Sequence, residues 1–151
     1  MIQSDAVGDS MPLDSALPID LGKLDFTFSV KPLLIGGMAM QYYGLRPAGA
    51  DIDLVITRED RARLVAQYPD GHKDLYGDLG VCVYEFEIWQ TICLFDYAYL
   101  SPGAIDGGDW LVISLEKLLF LKALAMKIPK YHHDLELIVA RVLRDQHPSG
   151  Q

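Results

Sequence analysis

The first clear hydrophobic pattern is a short apolar run, Leu33-Leu34-Ile35, introduced by Pro32 and stopped by Gly36-Gly37. A run of this length between turn signals predicts a buried strand. Met38 to Tyr43 fits a short helix that Gly44 can end. Asp51 to Ile56 alternates strictly: Asp51, Asp53 and Val55 share one face, and Ile52, Leu54 and Ile56 share the other. Thr57 predicts the cap of a helix running to Gln67, with Glu59 and Asp60 near its positive end. Residues 68–80 carry Pro, Gly and Asp and read as a loop. Val81 to Trp89 and Thr91 to Leu100 are rich in aromatic and β-branched residues, which predicts an antiparallel hairpin turning near Gln90. After a polar loop, Ser114 caps a predicted helix to Lys127, which Pro129 breaks. The last predicted helix, Tyr131 to Arg144, sets Leu135, Ile138, Val139 and Val142 on one face.

These elements predict an α/β (α+β) fold, a small mixed β-sheet flanked by helices. Residues 1–20, rich in Asp, Ser, Pro and Met, read as a flexible N-terminal segment with a short turn near Pro18. Residues 21–147 then form a single domain.

Composition and charge narrow the class. Half of the 151 residues are hydrophobic and 23% are charged, an ordinary globular balance. The apolar stretches are too short to span a bilayer, and no basic region followed by an apolar core opens the chain. The expectation is a cytoplasmic protein without a membrane partner. The net charge of -8 argues against an extensive nucleic-acid surface, though not against a metal ion that offsets clustered acids. Cys82 and Cys93 match no zinc spacing. They read as free thiols, or as a disulfide if they face each other across a hairpin.

The candidate chemistry lies between Leu34 and Ile56. Two Asp side chains on one strand face repel each other and call for a counter-charge. Mg²⁺ or Mn²⁺ suits an all-oxygen site, taking one or two carboxylates and leaving positions for substrate phosphates. Upstream, Gly36-Gly37 lets backbone approach a phosphate closely and feeds a helix start. Either feature alone is commonplace; their order and spacing give them weight.

An apolar strand, Gly-Gly, a short helix and then Asp-x-Asp on the next strand resemble the nucleotidyltransferase superfamily. Ile35-Gly36-Gly37-Met38-Ala39, with Gly44, Arg46, Asp51 and Asp53, is most similar to its minimal, abortive-infection-toxin-like branch. Leu118 to Ala125, around Lys122, and Lys130 to Leu135, around Asp134, look like that branch's lysine helix and the segment after it. The resemblance covers roughly residues 32–140. It implies that Gly36 and Gly37 contact nucleotide phosphates and that Asp51 and Asp53 bind the metal. It implies too that Lys122 approaches the triphosphate or braces the acids, and that Asp134 orients that lysine or the C-terminal helix. Such families often add a third carboxylate from a later strand. Asp96 is preferred here as metal ligand or base, with Glu87 as runner-up and Glu85 behind it. One departure is that Pro47-Ala48-Gly49-Ala50 lacks the Ser or Thr commonly found before the acids.

Other residues carry open readings. Arg46 either holds a phosphate or pairs with a carboxylate at the surface. Lys122, among leucines, either serves the site or lays its stem on an apolar face with its head in solvent. Lys127 and Lys130 read as surface charges. His132-His133 are adjacent on a helix and point apart, which favours solvated or packing roles. Tyr84, Phe86, Trp89, Phe95, Tyr97 and Tyr99 read as hairpin packing, and one of them can stack a base.

The leading expectation is a Mg²⁺-dependent enzyme that moves a nucleoside monophosphate from a nucleoside triphosphate such as ATP to an acceptor, releasing pyrophosphate. The acceptor is open: a small molecule, a protein or tRNA. The alternatives are a catalytically degenerate nucleotide-binding or interaction module, and the toxin of a toxin–antitoxin pair acting on tRNA.

Overall fold

The computed structural model describes residues 17–125 and 130–146, with the side chain of Lys130 excepted. Most of the N-terminal segment, the helix break at Pro129 and Lys127 lie outside the described residues. The packed body includes Leu17, which is buried, and Ile19, which packs against the core. The expected turn near Pro18 is present, with the Ile19 amide donating to the Leu17 carbonyl at 2.9 Å, and a 3-10 turn at Leu21–Leu24, capped by Asp20, follows it.

The chain is a mixed α+β fold built on one seven-stranded sheet. Its strands are β1 (Leu33–Ile35), β2 (Ile52–Val55), β3 (His72–Leu75), β4 (Asp78–Val83), β5 (Phe86–Trp89), β8 (Ile105–Asp106) and β9 (Leu111–Val112). Their order is β3-β4-β5-β2-β1-β9-β8. The short β6 (Thr91–Ile92) and β7 (Phe95–Asp96) form a separate two-stranded sheet. The helices are α1 (Gly36–Tyr42), α2 (Arg58–Gln67), α3 (Tyr97–Leu100), α4 (Leu115–Leu124) and α5 (Lys130–Gln146). Among the described residues, no helix is long and apolar enough to cross a membrane.

The alternation along β2 does what its pattern requires. Ile52 and Leu54 are buried, as are Phe86 and Ile88 of β5 and Val81 of β4; the core also covers the Asp53 face at its far end, where Val55 and its partner Leu33 are wholly buried. Asp53, Glu87 and Cys82 leave from the other face and are half-buried. Thr57 caps α2 by accepting from the Asp60 amide, and Ser114 caps α4 by accepting from the Lys117 amide. Asp60, read as a helix-end acid, is instead wholly buried. It accepts from the Ser29 amide and hydroxyl and pairs with Arg63, pinning the segment before β1 to α2.

The aromatic region departs from the expected hairpin. The long hairpin closes at Tyr84-Glu85, not at Gln90, because Tyr84 takes the left-handed conformation at φ 53°. Tyr97 to Leu100 is helical rather than extended, because the Asp96 carboxylate caps α3 from its N-terminal end. The Asp78 carboxylate organises the β6–β7 turn, accepting from Thr91 Oγ1 and the Cys93 and Leu94 amides at 2.7–2.8 Å. Residues 72–75, expected to be loop, form edge strand β3, joined to β4 by a turn with Tyr76 and Gly77 at positive φ. All four β3 side chains are exposed, so that strand carries no hydrophobic alternation to read. Both cysteines are free thiols.

Candidate active site

The relocated hairpin decides which carboxylates meet. Because β5 begins at Phe86, it runs parallel to β2 with Ile52 opposite Phe86 and Asp53 opposite Glu87. Register partners on neighbouring strands share a face, with strands about 4.8 Å apart. Glu87 therefore stands beside Asp53, and Cys82 of β4 stands on the far side of Glu87. Asp51, exposed just before β2, lies on the same face two residues from Asp53. The thiol of Cys82 registers this cluster: burial pushes its pKa up, the Glu87, Asp53 and Asp51 charges push it further, and the Lys73 ammonium nearby opposes them.

On the other side of β2, Asp53 lies opposite Ile35, the last residue of β1. Gly36 follows at φ 66°, and a Cβ on it would collide with the Asp53 carboxylate. Glycine is required there twice, by backbone conformation and by close approach. Gly37 is different: a Cβ on it would meet Arg46 Nη1 at 3.6 Å and Gly49 N at 3.7 Å, ordinary contacts. No side chain caps the start of α1.

Arg46 links the glycine turn to the helices. Its Nε donates to Asp134 Oδ1 at 2.6 Å and its Nη2 to Oδ2 at 2.8 Å, while Nη1 reaches the Pro47 carbonyl. This fork fits a carboxylate bidentately, and the carboxylate that Arg46 meets is the buried Asp134, not one at the surface. Lys122 donates to the same Asp134 Oδ2 at 2.8 Å, and its ammonium lies 4.4 Å from the Tyr131 ring centre. The Lys122 side chain is only 7% exposed, so its head does not reach solvent. Burial acts to raise the Asp134 pKa, but the hydrogen bonds from Arg46 and Lys122 outweigh it and hold the carboxyl near about 2. Asp134 thus joins α5, α4 and the loop after α1.

Asp96 stands apart from this assembly. It is exposed on the two-stranded sheet opposite Thr91, and its Oδ1 accepts from the Tyr99 amide. Thr91 belongs to that separate sheet, beyond the bend at Gln90 where β5 has ended. Asp96 is therefore a helix cap, and the third acid on the Asp53 face is Glu87. Glu85, at the β4–β5 turn, is held by Lys23 at 2.8 Å. His132 and His133 are exposed.

The acids suit a hard cation by donor type. Among the described residues, no group of three or more His, Cys, Asp or Glu forms a ready metal centre. A cation here would take one or two carboxylates, Asp53 and Glu87, and complete its shell with water or substrate oxygens, the habit of Mg²⁺. No protein-family model, curated protein or solved structure matches the chain.

Proposed function

We propose that this protein transfers a nucleoside monophosphate from a nucleoside triphosphate to an acceptor, releasing pyrophosphate, with Mg²⁺ or Mn²⁺ at Asp53 and Glu87. One observation carries the reading: Asp53 sits at once against the side-chain-free Gly36 and beside Glu87. The missing side chain at Gly36 lets the Asp53 carboxylate lie against the backbone at the start of α1, and the register brings Glu87 to the same place.

The roles follow from position. Asp53 and Glu87 hold the cation, and Asp51, exposed beside them, adds an oxygen donor or accepts the acceptor's proton. The bound cation neutralises charge that builds on the phosphates during transfer. Gly36 makes room for the Asp53 carboxylate, and Gly37, beside which only ordinary contacts lie, leaves room for phosphate oxygens at the start of α1. Arg46 and Lys122 are positioning residues: through Asp134 they fix the loop after α1, and so the wall opposite Gly37. The test is pyrophosphate release from each of the four triphosphates with Mg²⁺. Release that disappears in Asp53→Asn and Glu87→Gln supports the reading; wild-type protein without release counts against it.

A second reading is a nucleotide-binding module without turnover. The observation favouring it is that Arg46 and Lys122, the cations nearest in role to the phosphates, already share Asp134. Nucleotide binding without pyrophosphate release would select it. A toxin acting on tRNA would be the same chemistry with a particular acceptor. Growth arrest on expression, lost in Asp53→Ala, would identify it.

A further inference from the structure

We infer that the Trp89 indole is the platform on which the nucleobase of the substrate stacks. This inference rests on the nucleotidyl-transfer reading and adds the part of the ligand which that reading leaves unplaced.

Trp89 follows Glu87 by two residues on β5, so both side chains leave the same face, about 7 Å apart along the strand. The neighbouring residues Phe86 and Ile88 point to the other face and are wholly buried. Trp89 is only half-buried and stands outside the hydrophobic core. Its ring rests instead on Gly80, its register partner on β4: a Cβ on Gly80 would stand 2.8 Å from indole Cδ2. Gly80 is thus a floor for the ring. An aromatic laid across a strand glycine shields backbone, which explains the contact on the Gly80 side. It does not require an indole on the face that carries the acids.

The order of features along the sheet matches a nucleotide. Gly36 adjoins Asp53, and Trp89 lies opposite Val55, two residues beyond Asp53 on β2. The acids therefore lie between the glycine turn and the indole. A nucleoside triphosphate has the same order, with phosphates at one end, the base at the other and the reacting phosphate between. The other aromatics of this region are engaged elsewhere. Phe86 is in the core, Phe95 packs on Phe120 at 5.0 Å and Tyr84 packs edge-on against Tyr68. Among the described residues, no other ring stacks on Trp89. Stacking is tolerant of base identity, because every base presents a π-face. All four triphosphates are expected to bind, with modest differences.

The test is calorimetric titration of wild type, Trp89→Leu and Trp89→Phe with Mg²⁺ and each triphosphate, and in parallel with Mg²⁺ and inorganic tripolyphosphate. Thermal melts show that each variant is folded. Trp89→Leu is expected to weaken nucleotide binding about tenfold or more, and Trp89→Phe by no more than about threefold. Tripolyphosphate affinity stays at the wild-type level in both. Equal nucleotide affinity in wild type and Trp89→Leu overturns the platform and leaves the transfer reading standing. Wild-type protein that binds neither nucleotide nor tripolyphosphate overturns both.

Discussion

The two charged clusters that flank the glycine turn are built on opposite rules. Around Asp134, each charge meets its opposite: a buried carboxylate, a half-buried guanidinium and a buried ammonium. On the sheet face, Asp53 and Glu87 stand side by side with Asp51 close by, like beside like. The first arrangement is what folding needs when it buries charge. The second is what folding alone avoids, since like charges in register repel. The difference separates scaffold from site. The Asp134 cluster holds two helices and a loop in place, and the acid face gathers carboxylates in register on one side of the sheet.

Substitutions should therefore move the two clusters in opposite directions. Asp134→Ala strands the Lys122 ammonium in the interior and is expected to cost about 3–5 kcal/mol of stability in denaturant unfolding. Asp53→Asn and Glu87→Gln are expected to leave stability unchanged or raise it, because each removes a like-charge contact. The same two changes should cut pyrophosphate release by about a hundredfold or more. If instead they unfold the protein while Asp134→Ala is benign, the assignment of scaffold and site is reversed.

Acid sharpens the contrast. Unfolded, Asp134 titrates near its ordinary 3.8, and folded it titrates near about 2. Its depressed value means that the native state favours the ionised form. At about 1.4 kcal/mol per pH unit, it contributes about 2 kcal/mol. That contribution is complete above roughly pH 4 and is lost as pH falls through about 2. Unfolding titrations of wild type against Asp134→Asn should show this slope in the former and its loss in the latter.

The glycines give the finest test. Gly36→Ala forces a left-handed Cβ into the Asp53 carboxylate and should cost about 1–2 kcal/mol while displacing that acid. Gly37→Ala meets only ordinary contacts and should change stability by less than about 1 kcal/mol. Equal penalties at the two positions would mean that the close approach at Gly36 has no energetic weight.

Much of this was legible in the residues themselves. The alternation of Asp51 to Ile56 predicted that Ile52, Leu54 and Ile56 enter the core but not that Val55, on the Asp53 face, enters it too, and Thr57 and Ser114 announced their helices. The Gly36-Gly37 turn and Asp53 were readable as neighbours because one short helix and one loop separate them. The third acid was not. Asp96 and Glu87 both sit in aromatic, β-branched sequence, and which one meets Asp53 depends on where the hairpin turns. That turn lies at Tyr84, a residue type without a strong turn preference, where the chain nevertheless takes positive φ. Edge strand β3 was hidden because backbone pairing holds it and no apolar face marks it. Arg46 and Lys122 could be named but not joined, since their shared partner is 88 residues from Arg46.

The relocation of the third acid is where this account is most exposed. Mn²⁺ binding, followed by electron paramagnetic resonance in wild type, Asp53→Asn, Glu87→Gln and Asp96→Asn, tests it directly. The account predicts that Asp53→Asn and Glu87→Gln each weaken binding about tenfold or more, while Asp96→Asn binds as wild type does. Loss of binding in Asp96→Asn with full retention in Glu87→Gln would contradict it.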